Sequence, residues 1–225
     1  VIYDIGGALS NLEYSFSGGI LKSVYDIYGN AIKNGVDSPY IEGRKLIFED
    51  DFNTLDLQYW SYELGDVRNR SLELQCYKQE NVTVEDSMLV LTAKKEAYGG
   101  KTWTSGSITG QRNQKFQYGR FEARIKFPDI SGGFGAFWLL GSNFWYDYVD
   151  GGIPISNGVL WPKCGEIDIV ETIPGKADNI QGNIWKYSGG SYKSARSQSI
   201  ELSDWHIYGV ELTETQVEFF VDDNV

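Results

Sequence analysis

The sequence predicts an all-β fold, and three observations carry that expectation. Apolar residues alternate: Phe121, Ala123, Ile125 and Phe127 are separated by Glu122, Arg124 and Lys126, and Val217, Phe219 and Val221 recur at the same period. Twenty-six glycines against five prolines suit a chain with many tight turns. No long helical pattern competes with these strands. With 225 residues, 41% of them hydrophobic, the chain is long enough for one substantial core, and β-sandwiches of this length form single domains.

In chain order, residues 1–5 and 20–28 read as strand-like pieces, with the Gly/Ser-containing Ser15-Phe16-Ser17-Gly18-Gly19 between them. The alternating run 121–127 follows, then a hydrophobic strand over 166–171, the strand-like Trp205-His206-Ile207-Tyr208, and the run 217–221.

The strand over 166–171 is costly to build. Glu166-Ile167-Asp168-Ile169-Val170-Glu171 puts three carboxylates within six residues. Like charges on a half-buried strand repel and resist desolvation, so stability alone selects against them, whereas chemistry needing a paired acid and base explains them. Side chains alternate faces, so Glu166 and Asp168 share one face and Ile167 and Ile169 the other. Glu171 lies an odd number of positions from Glu166 and would join the isoleucines on a regular strand. One extra residue, a β-bulge around Ile169-Val170, returns it to the carboxylate face. Five residues at roughly 3.3 Å each separate the glutamate backbones by about 16 Å before any shortening. Retaining glycosidases place their carboxyl pair ~5–5.5 Å apart and inverting ones ~6.5–9.5 Å, and spacing alone leaves both open. Asp168 is placed to hydrogen-bond Glu166, and its charge would help keep Glu171 protonated as an acid.

The motif resembles the E-x-D-x-x-E signature of glycoside hydrolase family 16, in the bulged form of laminarinase-like endo-β-glucanases. Phe48-Glu49-Asp50-Asp51-Phe52, Glu73-Leu74-Gln75, Thr104-Ser105-Gly106-Ser107-Ile108, Tyr118-Gly119-Arg120-Phe121-Glu122-Ala123-Arg124, Gly135-Ala136-Phe137-Trp138-Leu139-Leu140-Gly141 and Trp205-His206-Ile207-Tyr208 resemble the family's successive strands in order and spacing. The resemblance spans about residues 45–225. It implies a β-jelly-roll sandwich of two antiparallel sheets with a concave substrate cleft. It also implies retaining endo-hydrolysis of a β-1,3 or mixed β-1,3/1,4-glucan, with Glu166 as nucleophile, Asp168 as helper and Glu171 as general acid/base. Galactan hydrolases of the agarase or carrageenase kind share the bulged motif and form an alternative. A non-catalytic carbohydrate-binding or virion adhesion domain is another, although such a domain would not be expected to keep all three acids.

Three departures from the pattern stand out. Where laminarinase-like members carry a histidine on the neighbouring strand, this chain has Gln181-Gly182-Asn183-Ile184-Trp185. Relatives continue into further strands beyond the position of Val225. Residues 1–43 match nothing in the family, and are expected to be either an appendage or strands that complete the sandwich as in a circularly permuted chain, with the catalytic domain over 44–225.

Charge and composition exclude several classes. The net charge of −11, with no basic cluster, argues against nucleic acid, an anionic membrane or an anionic polysaccharide as partner, and points to a neutral one. No apolar run reaches the ~18 residues of a membrane-spanning helix. An extracellular or secreted protein is expected, and the first residues lack the features of a signal peptide, so any such leader is already gone or was never there. One histidine and two cysteines leave a zinc hydrolase or a Ser-His triad little to stand on. Cys76 and Cys164 are expected to be free and buried rather than bridged. Double displacement by carboxylates requires no cofactor. The resemblance adds a structural calcium as an option, with Asp50-Asp51 near the first ligand position. A monomer is expected unless strands come from another chain.

Seven tryptophans suit a sugar-binding cleft, because sugar rings present apolar C–H faces to aromatic platforms. Trp138 and Trp161 are the first candidates and Trp185 a further one, while Trp60 and Trp205 are expected in the core. Glu73 is a candidate substrate contact, with pairing to Arg68 or Arg70 as its alternative. His206 and Arg120 are expected to be structural.

Overall fold

The computed structural model describes residues 2–3, 12–16, 20–26, 45–67, 73–112, 114–128, 130, 132–147, 153–187 and 191–222. The strands among them are β1 (Ile2–Tyr3), β2 (Leu12–Phe16), β3 (Ile20–Asp26), β4 (Lys45–Asp50), β5 (Ser61–Tyr62), β6 (Gln75–Tyr77) and β7 (Val82–Glu85). They continue with β8 (Met88–Leu91), β9 (Trp103–Ser105), β10 (Ile108–Thr109), β11 (Gly119–Ile125), β12 (Ala136–Gly141), β13 (Tyr146–Asp147) and β14 (Ile153–Pro154). The last are β15 (Glu166–Thr172), β16 (Asn179–Tyr187), β17 (Ser191–Ser199), β18 (His206–Leu212) and β19 (Val217–Val221).

Two antiparallel sheets face each other, the sandwich expected of a jelly roll. The larger runs β17-β16-β15-β12-β2-β10-β5, with β1 paired to β2, and the smaller runs β19-β18-β11-β3-β4. Alternation drives the packing. Phe121, Ala123 and Ile125 of β11 are fully buried, as are Phe137 and Leu139 of β12 and Ile167 of β15, and all belong to one core cluster. Burying a side chain of this size contributes about 1.5–3 kcal/mol. At one end of the core Trp60, fully buried as expected, stacks on Phe52 at 5.8 Å between ring centroids. Its indole Nε1 donates to Asp50 Oδ2 over 2.6 Å.

Two glycines let aromatic rings lie flat on a strand. A Cβ at Gly182 on β16 would meet the Phe219 ring of the opposite sheet at 2.9 Å. One at Gly209 on β18 would collide with Phe220 Cζ. The Phe220 ring in turn carries the Arg120 guanidinium 3.7 Å from its centroid, and Arg120 pairs with Glu122 at 2.5 Å. Arg120 thus serves the smaller sheet. His206 is held between Asp222 at 2.6 Å and the Glu201 carbonyl at 3.0 Å, a structural role.

Two expectations change. Residues 12–16 form a strand of the large sheet, although Ser15-Phe16 reads as the start of a connection. Trp205 is only half-buried and carries the Arg124 guanidinium at 4.2 Å from its ring, so it caps a surface instead of filling the core. Its neighbour Tyr208 takes the buried position, because the faces of β18 alternate. Cys76 and Cys164 are free and buried.

Candidate active site

The three acids stand on β15, and the bulge lies where parity demands it. β12 pairs Phe137 with Val170 but Trp138 with Asp168, so Ile169 is the unpaired residue. On the other side β16 pairs Asp168 with Asn183 and Glu171 with Gln181, two intervening residues against one. The extra residue is absorbed by the core: Ile169 and Val170 are both buried there beside Ile167. Glu166, Asp168 and Glu171 then share the face turned away from the second sheet. Asp168 is buried, and Glu166 and Glu171 are half-buried.

That face has a regular floor. One row of opposed residues runs Ser61, Thr109, Ser15, Trp138, Asp168 and Asn183 across β5, β10, β2, β12, β15 and β16. At roughly 4.8 Å per strand, Thr109 lies about 14 Å from Asp168 along this row. Ile108 of β10 belongs to the core, which turns Ser107 and Thr109 to the site face. Ser107 Oγ donates to Glu63, an acid only 3% exposed that the sequence offered no reason to single out.

Trp138, Trp161 and Trp185 come together at the Glu166 end. Trp185 is opposite Glu166 on β16, and its ring lies 5.0 Å from that of Trp161, inclined at 56°. Trp138 and Trp161 pack on a small second apolar cluster of Leu140, Phe144 and Cys164. Gly165, at φ 81, turns the chain from this cluster into β15. Glu73 is set in a different corner: Gln75 Nε2 donates to its carboxylate at 3.4 Å and Lys101 Nζ to its carbonyl at 3.0 Å. Arg68 and Arg70, its alternative partners, lie outside the described residues.

Among the described residues, two neutral donors reach Glu171. Gln181 Nε2 reaches its Oε2 at 3.0 Å, and Asn183 Nδ2 donates to the same oxygen. Sequence reasoning passed over both amides, registering only that a histidine was missing from that strand. Their two-residue spacing, which puts both on one face, was the available signal.

Asp50, beside the position expected for a calcium ligand, has both oxygens engaged. Oδ2 accepts from Trp60 and Oδ1 from the Phe52 amide at 2.8 Å. Burial raises its carboxyl above the ordinary range despite those two donors. Among the described residues no group of three metal-ligating side chains assembles.

A model of glycosyl hydrolases family 16 matches residues 71–225. The α subunit of clotting factor G from Tachypleus tridentatus is 33% identical over 80% of this chain, which covers 26% of that protein. A β-glucanase from Rhodothermus marinus is 29% identical over 80% of this chain, which spans 64% of it. Among solved structures, laminarinase from Flavobacterium sp. UMI-01 superposes with a TM-score of 0.66 at 34% identity, covering 80% of this chain and 76% of its own.

Proposed function

The chain belongs to glycosyl hydrolase family 16, and on that premise we propose that it is a retaining endo-hydrolase of a neutral β-1,3 or mixed-linkage β-1,3/1,4-glucan. The observation that carries the reading is the bulge at Ile169, which puts Glu166, Asp168 and Glu171 on one face beside a tryptophan cluster. In the first step the Glu166 carboxylate attacks the anomeric carbon. The glycosidic C–O bond breaks, and the leaving oxygen takes the proton from Glu171. In the second, water attacks the same carbon, gives its proton to Glu171, and releases Glu166. Asp168 orients Glu166. Trp138, Trp161 and Trp185 supply stacking surfaces for sugar rings, and Glu73, held apart from them by Gln75 and Lys101, is a candidate polar contact. These steps need carboxylates and water only. A polymeric substrate of this kind is met outside the cell, which is where we place the activity.

Residues 1–43 belong in this reading to the catalytic unit. What supports it is the position of β2 between β12 and β10, beside the tryptophan-bearing strand, and of β3 between β11 and β4.

The test is product analysis on laminarin and barley glucan, followed by proton NMR. Release of the β-anomer first is expected, and initial release of the α-anomer would sink the mechanism. Glu166→Gln should lower turnover by more than about 10³-fold, as loss of a nucleophile does; full activity in that variant would refute the assignment.

A further inference from the structure

The two amides on Glu171 extend the site beyond the three acids, and a role for them rests on the hydrolase reading of that site. Gln181 is opposite Glu171 in the β15–β16 register and Asn183 opposite Asp168, so both side chains share the acids' face. Both donate to a single oxygen, Glu171 Oε2. Without the bulge Val170 would oppose Gln181, so the extra residue at Ile169 also delivers Glu171 to these donors. Asn183 is fully buried and its Oδ1 makes no hydrogen bond, so the Glu171 contact is what fixes the amide's orientation. The reversed amide would set its carbonyl oxygen against a carboxylate oxygen, two acceptors with nothing between them.

We propose that Asn183 and Gln181 are positioning residues for Glu171: they commit Oε2 to two N–H donors, so that the proton bound for the glycosidic oxygen is carried on Oε1. An oxygen accepting two N–H bonds has its lone pairs occupied, and a proton placed there would point at donors. Both amides are neutral and exchange no proton at this pH range, so they orient the carboxyl without joining the transfer.

The arrangement also sets the pH range of the acid. N–H donors favour the charged form of a carboxylate, so they make Glu171 release its proton more readily. Among the described residues, the titratable groups on the same face of its own strand are Glu166 and Asp168. The flanking strands offer Ala136 and Trp138 from β12, and the two amides and Trp185 from β16.

The experiment is the pH profile of kcat/KM on laminarin for the wild type, Gln181→Met and Asn183→Asp. Gln181→Met keeps volume and removes one donor at a half-buried position. Its basic limb is expected to move up by about one pH unit, the effect of one donor on a carboxylate. Asn183→Asp replaces a donor with a second carboxylate, and its limb should move further in the same direction. A purely structural role would lower kcat and leave the limb in place. Limbs unmoved in folded variants would overturn the inference, and Gln181→Met decides it alone should Asn183→Asp not fold. A wild type that releases nothing from laminarin or barley glucan overturns the hydrolase reading and this one with it. Wild-type hydrolysis with unmoved limbs overturns only this one.

Discussion

At the scale of single residues, two carboxylates outside the site respond to pH in opposite ways. Burial would raise Asp222, but hydrogen bonds from His206 and from the Ile207 amide, at 2.8 Å, outweigh it and hold the carboxyl below the ordinary range. A lowered acid stabilises the fold above its unfolded value and loses that contribution as pH falls through the folded one. Asp222→Asn should therefore lower Tm at neutral pH and match the wild type at strongly acidic pH. Its side chain is 45% exposed, so solvent screening limits the effect to at most ~1 kcal/mol. Thermal melts at neutral and at acidic pH would check it. Asp50 lies on the other side: burial raises it, and its ionisation is a cost offset by the Trp60 and Phe52 donors. Asp50→Ala removes the acceptor of a fully buried indole N–H and should destabilise by about 1–3 kcal/mol, read by urea titration.

At the scale of elements, β15 shows what the sequence could and could not reveal. The three acids and their bulge were legible because parity is a matter of counting: an odd spacing on a strand with one buried face leaves only an extra residue as the remedy. The bulge can be tested directly. Deleting Val170 leaves Glu-Ile-Asp-Ile-Glu, whose plain alternation keeps all three acids on one face with no bulge. Such a variant should retain measurable hydrolysis while losing about 1–3 kcal/mol of stability for the missing core side chain. Asn183 and Gln181 were not legible in the same way. Their function depends on cross-strand register, and nothing within 181–185 says which residue of β15 stands opposite. Leu12–Phe16 was missed for a related reason: its neighbours in the sheet, β12 and β10, lie roughly a hundred residues downstream, while the local Ser/Gly content suggests a turn.

At the scale of the whole molecule, β2 and β3 each fill an interior position in a different sheet. Removing residues 1–43 would leave β12 and β10 facing across an unfilled strand in one sheet and β11 and β4 in the other. Two neighbouring strands on either side of one missing strand are about 9.6 Å apart, too far for any ladder hydrogen bond. The truncated chain 44–225 should lack a cooperative thermal transition and should bind a dye for exposed apolar surface, measured beside the full chain. The same placement has a consequence for synthesis. β2 leaves the ribosome before β10 and β12, which flank it, and β3 before β4 and β11. At about 5–20 residues per second β2 waits several seconds for its flanking strands with its backbone groups bonded to water, so the large sheet closes around a segment translated before the strands on either side of it.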